Sequence, residues 1–125
     1  MTKIETSKAP GAIGPYSQGM VSGKLVFTSG QIPLDPVTGA IVGDTIEEQS
    51  EQALKNLQAV LEAGGAALTS VVKTTCFLSD MGNFAAFNAV YAKFFTGDCP
   101  ARSCVAVKTL PKGVLVEVEA VAEVL

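Results

Sequence analysis

The chain has 125 residues, enough for one domain spanning 1–125, and its 48% apolar against 17% charged content excludes disorder. A net charge of -3 and a pI near 4.8 exclude a general polyanion binder, because nucleic-acid affinity rests on Lys and Arg neutralising phosphates. Histidine is absent, which removes a Ser-His-Asp triad, a Cys-His dyad and imidazole metal sites.

In chain order, the first predicted element runs from Gly19 to Thr28 as two short strands about a Ser22-Gly23 turn, and Ser29-Gly30-Gln31-Ile32-Pro33 ends the pairing. A loop punctuated by Pro and Gly follows from Pro33 to Gly43. Thr45-Ile46-Glu47-Glu48 has the form of a capping box, and Ile46, Ala53, Leu54, Leu57, Val60 and Leu61 keep one helical face apolar until Gly64-Gly65 stops it. Val71 to Leu78 is rich in β-branched residues and reads as a strand. Asn83 is the expected cap of a second helix whose Phe84, Phe87, Tyr91, Phe94 and Phe95 recur at helical spacing and which ends before Gly97 and Pro100. Two further strands, Arg102 to Lys108 and Val114 to Val124, are joined by Leu110-Pro111-Lys112-Gly113.

Read as a hairpin, those last two strands allow residues to be assigned to faces. Val116, Val118, Ala120 and Ala122 form an apolar face, with Glu117, Glu119 and Glu123 opposite. A turn centred on Pro111-Lys112 sets Cys104 across from Glu119 and Arg102 diagonal to it. Arg102 is the only arginine in the chain, a planar fork suited to gripping a carboxylate. The expectation is that Arg102 and Glu119 converge on the sheet face away from the helices. Two helices cover one face of such a sheet, so the bare face is expected to pack against other copies and to place the cleft between subunits.

The three cysteines, Cys76, Cys99 and Cys104, are odd in number and lack metal spacing, which fits a reducing cytoplasm. No stretch approaches the roughly 18 apolar residues of a membrane span, and no apolar run follows Lys3 and Lys8 at the start.

Six motifs, in order, resemble the Rid family (RidA/YjgF) over nearly the whole chain. They are Ile13-Gly14-Pro15-Tyr16-Ser17-Gln18, Ser29-Gly30-Gln31-Ile32-Pro33, Val72-Lys73-Thr74-Thr75, Phe87-Asn88, Pro100-Ala101-Arg102-Ser103-Cys104 and Val116-Glu117-Val118-Glu119-Ala120. The resemblance implies a chorismate-mutase-like α+β subunit, a mixed sheet with two helices on one face, in a homotrimer whose sheets face inward. It also implies cofactor-free hydrolysis of reactive enamines and imines such as 2-aminoacrylate to 2-keto acids, with no metal and no nucleic-acid partner. By the same resemblance Arg102 binds the substrate carboxylate, Glu119 positions water, the Cys104 backbone lies near the substrate amine, and Tyr16, Ser29, Gly30, Phe87 and Asn88 line the cleft. Val118, where Ile or Met is common, and the short Phe95–Pro100 connection depart from the family pattern.

Each of these residues also has a structural reading. Arg102 can pair with an acid across an interface, Glu119 can be a solvated strand residue like Glu117 and Glu123, and the Phe84/Phe87/Tyr91 stripe reads better as core than as ligand site. Cys104 invites a nucleophile reading with Arg102 lowering its pKa, but no histidine is present to serve as base. Three functions follow: an imine hydrolase; an endoribonuclease or translation inhibitor, which the acidic composition disfavours; and a non-catalytic ligand sensor or chaperone using the same cleft.

Overall fold

A computed structural model describes all residues, 1–125. Six strands form one sheet: β1 (Thr2–Ile4), β2 (Gly19–Ser22), β3 (Leu25–Thr28), β4 (Val71–Leu78), β5 (Ala101–Ala106) and β6 (Val116–Glu123). Two helices, α1 (Ile46–Ala63) and α2 (Phe84–Phe94), pack on one face, giving an α+β fold. The strand order is β1-β2-β3-β6-β4-β5, antiparallel throughout except for the parallel pair β4/β5. No helix is long and apolar enough to cross a membrane.

The α1 boundaries follow from their end chemistry. Thr45 Oγ1 accepts from Glu48 N at 3.2 Å, and the Glu48 carboxylate accepts in return from Thr45 N at 3.3 Å. These contacts hold the Glu48 carboxyl below its ordinary pKa, the Thr45 side chain contributing most. At the other end Gly65 adopts φ +85°, Ala66 N donates to Leu61 O and Gly65 N to Glu62 O, so two carbonyls at the end of the helix are satisfied. The apolar stripe Ala53, Leu54, Leu57, Val60, Leu61 is fully buried against Val26 of β3 and Val118 and Ala122 of β6.

The cap of α2 differs from expectation. Asn83 makes no side-chain cap bond; instead Asp80 accepts from Gly82 N at 2.7 Å and caps a single 3₁₀ turn, Met81–Asn83, that leads into the helix. The strand Thr2–Ile4 is an addition to the elements read from sequence, and the loop after Pro33 carries its own pairing, with a bridge between Leu34 and Ile41.

The larger correction concerns the last two strands, which do not form a hairpin. β4 lies between them: β5 runs parallel to β4, with Thr74 beside Arg102 and Cys76 beside Cys104, while β6 runs antiparallel on the other side of β4, with Thr75 beside Glu119. The reason is topological. Parallel strands need a long crossover, and α2 supplies one, carrying the chain over the helical face from β4 to β5.

Face assignments change with it. Arg102 and Cys104 share the face of Thr74 and Cys76, which the helices cover, whereas Glu117 and Glu119 share the open face with Thr75 and Phe77. Cys104 is therefore not opposite Glu119, and the arginine and the carboxylate do not converge within one chain. The open face also carries Phe27 and Val105, 41% and 47% exposed.

Candidate functional site

The chemistry-bearing residues fall into two groups on opposite sides of the sheet. The first is built where β5 passes α2. Phe84, Asn88 and Tyr91 follow one another at helical spacing and present one face of α2 to Arg102. Arg102 Nη1 donates to Asn88 Oδ1 at 2.8 Å, and its guanidinium carbon lies 4.8 Å from the Tyr91 ring centroid and 5.5 Å from that of Phe84. The chain's two ion pairs are Lys3–Glu5 and Lys55–Glu51, so no carboxylate of the chain neutralises this cation. Its remaining donors make no hydrogen bond within the chain.

Cys104 sits two residues along the same face, half-buried. Burial pushes its thiol above the ordinary value, and the opposing pull of Arg102 is the smaller effect. The arginine thus does not activate this thiol, against the nucleophile reading, and the neutral thiol is a poor attacking group. Cys76 beside it is fully buried and its thiol is pushed up to about 12, chiefly by desolvation. Phe87, assigned to the cleft by resemblance, is fully buried in the core and offers no surface to a ligand.

The second group lines a cavity of about 900 Å³ reached from the open side, to which Tyr16, Ser29, Gly30, Gln31, Glu117 and Glu119 contribute. Its shape is set by an isolated bridge: Gln31 N donates to Val118 O at 2.8 Å and Val118 N to Gln31 O at 3.0 Å, so the Ser29–Gln31 segment runs alongside β6. The pairing that the sequence seemed to end at Ser29 resumes here. Ser29 Oγ donates to Ser17 O, tying the Tyr16 segment to the same wall. Gly30 lets the Glu117 carboxylate lie close against the backbone, since a Cβ there would overlap that carboxylate and displace it. Glu117 has its carboxyl pKa raised, first by burial and then by the neighbouring Glu119 charge.

Three buried amides that the sequence did not single out hold these walls. Gln18 donates to Thr6 O, Ala9 O and Pro10 O and accepts from Thr6 N, folding the N-terminal segment around one side chain. Asn56 on α1 donates to Ile32 O and Leu34 O, both at 3.0 Å. Gln49 accepts from Leu115 N and donates to Gly43 O. A polar residue on the apolar stripe of α1, as Asn56 is, was the available signal. An unpaired amide there would be costly, so it must hold something.

A family model described as endoribonuclease L-PSP matches residues 6–124. A Lactococcus lactis protein named as regulator AldR is 52% identical over 124 residues, 99% of this chain and 98% of that protein. A 2-iminobutanoate/2-iminopropanoate deaminase of Salmonella typhimurium is 51% identical over 122 residues, covering 95% and 94%. The crystal structure of E. coli TdcF with bound serine superposes with a TM-score of 0.94 at 46% identity, covering 98% of both chains. The motifs, the fold and these matches agree: the chain belongs to the endoribonuclease L-PSP family, the YjgF/RidA family.

Proposed function

We propose that the protein hydrolyses small 2-imino and 2-enamino acids, such as 2-aminoacrylate, to 2-keto acids and ammonia, at clefts completed between copies of the chain in a homotrimer. The observation that carries this reading is the division of the site. Arg102 and Glu119 lie on opposite faces of one sheet, so a ligand that meets both must lie between two chains. The apolar patches on the open face, Phe27 and Val105 among them, give that face a reason to be covered.

In this reading the substrate carboxylate takes the free edge of the Arg102 fork, whose Nη1 is already committed to Asn88. The C2 carbon becomes electrophilic when the imine nitrogen is protonated. Glu119 of the adjoining copy, beside Tyr16, Ser29 and Gly30, accepts a proton from water as its oxygen attacks C2. The carbinolamine collapses with loss of ammonia. Such imines already hydrolyse in water, so positioning and a general base worth roughly 10²–10⁴-fold are sufficient means. Within this scheme Cys104 serves through its backbone beside the substrate amine, consistent with its raised thiol pKa.

Two other readings have an observation each. The bound serine of the E. coli relative favours a binding protein for small amino-acid-like ligands, which uses the same fork without turnover. The family description favours an endoribonuclease; the net charge of -3 and the absence of histidine weigh against it.

The test is complementation. Arg102→Lys and Glu119→Gln are each expected to lose most of the acceleration of keto-acid release from 2-aminoacrylate generated from serine by a dehydratase. Unfolded together and refolded as a mixture, they should regain about a quarter of wild-type activity, because some interfaces then pair two intact halves. A mixture as inactive as its parents, with wild type active, would show that both residues act within one chain. A wild type that binds pyruvate without accelerating imine hydrolysis would favour the binding-protein reading.

A further inference from the structure

We infer that Tyr91 is a positioning residue for the ligand carboxylate: with Asn88 and Phe84 it forms a three-sided cradle that fixes the plane of the Arg102 fork before the ligand arrives. This inference rests on the reading of Arg102 as the carboxylate-binding group. It concerns a residue whose spacing alone marks it as core.

The Tyr91 ring is held at several points. Its hydroxyl is 2.8 Å from Thr74 Oγ1, on the β4 residue directly beside Arg102 in the parallel register. Its ring stacks on Phe95 at 4.5 Å and 29° and meets Phe87 at 5.6 Å and 50°. Both Tyr91 and Thr74 are buried. The ring therefore spans from α2 to β4 as a fixed wall, and the guanidinium lies against it. Burial raises the hydroxyl pKa, so the group stays neutral and its hydrogen bond to Thr74 persists across the working pH range.

The cradle answers two physical needs. An arginine on an edge strand has a long side chain with many rotamers, and ordering it at the moment of binding costs affinity. A ring on one side, a second ring further out and the Asn88 amide at Nη1 remove that freedom in advance. The cation also lacks any carboxylate partner in the chain, and the ring faces supply the compensating negative potential without competing for its outward N–H groups. An acid placed there would neutralise the fork and occupy the donors that the ligand needs. An aromatic ring stabilises the charge and leaves the donors free.

The inference separates from a general packing role through the ligand's charge. Pyruvate and pyruvamide have nearly the same shape, but only pyruvate carries a carboxylate. Titration calorimetry with both ligands on wild type, Arg102→Lys, Tyr91→Leu and Tyr91→Phe reads the ratio of the two affinities. Tyr91→Leu should lower pyruvate affinity about tenfold and leave pyruvamide affinity nearly unchanged, a shift within the range of a cation–aromatic contact. Tyr91→Phe keeps the ring and loses only the tie to Thr74, so it should restore most of the ratio. In turnover the same loss should appear in KM rather than kcat.

If Tyr91→Leu weakens both ligands equally, or neither, Tyr91 only fills the core and the inference is overturned. Should Tyr91→Leu fail to fold, Tyr91→Phe and Asn88→Ala carry the test. Asn88→Ala must then lower the ratio while Tyr91→Phe stays close to wild type; any other pattern overturns the inference. A selective loss in Arg102→Lys beside an unchanged ratio in the Tyr91 variants sinks the cradle alone. A wild type that does not prefer pyruvate sinks the carboxylate reading of Arg102 and the cradle with it.

Discussion

Glu117 shows how one carboxylate responds to its position on the sheet. It is half-buried, presses against Gly30 and has Glu119 two residues away on the same face, so its proton is held more tightly in the folded chain than in the unfolded one. A carboxyl whose folded pKa is raised stabilises the fold most below its unfolded value, and that contribution disappears as pH rises through the folded value. Asp35, Glu119 and Lys112 are the other charged groups on this cavity, and of these it is the Glu119 charge that opposes ionisation. Glu117→Gln is therefore expected to match wild type in urea midpoint near pH 4 and to exceed it slightly at pH 8. An equal gap at both pH values would show that Glu117 does not titrate in this window. The residue scale is also where the sequence was least legible. Nothing in the pattern Val116-Glu117-Val118-Glu119 separates a desolvated Glu117 from a solvated one; the difference lies in Gly30, 87 positions distant in the chain but in contact.

Elements with local causes were legible to the residue. β4 begins and ends at Val71 and Leu78 as its β-branched run indicates, and α1 follows its capping box and its Gly64-Gly65 stop. Thr45→Ala should cost about 1 kcal/mol of stability by removing the cap, measured by chemical unfolding, and Thr45→Ser should cost far less. A loss equal in both variants would assign the effect to the threonine methyl. The partners of the strands were not legible. Alternation along Arg102–Ala106 separates its two faces equally well whether the strand pairs with β4 or with β6, and only the choice of neighbour decides which face meets the helices. Assigning the neighbour from the nearest turn put Arg102 on the wrong side. The α2 crossover was present in the sequence as a helix between two strands, the usual mark of a parallel pair.

At the scale of the whole molecule, the proposed site is divided between two faces of a sheet whose open side retains exposed Phe27 and Val105. The resemblance singled out Arg102 and Glu119 as partners, but only the strand order shows that one chain keeps them apart. Sedimentation at micromolar concentration should give a trimer, and Phe27→Lys should weaken association and reduce imine hydrolysis together while far-UV circular dichroism stays unchanged. Full activity in a species of about 13 kDa, the 12.9 kDa mass of one chain, would contradict the divided site.

The place of β6 has a consequence for how the protein is made. The last strand in sequence is near the middle of the sheet, between β3 and β4. Until it arrives, β1-β2-β3 and β4-β5 are separate pieces with no ladder joining them, and α1 has lost the Val118 and Ala122 surface on which it rests. A chain truncated before Val116 would thus have at most two half-sheets with two open inner edges, a state open to strand exchange with its neighbours. Translation order delays closure of the sheet until the two carboxylates of the cavity, Glu117 and Glu119, emerge on the strand that joins its halves, so a chain that has not finished folding cannot display a finished cavity.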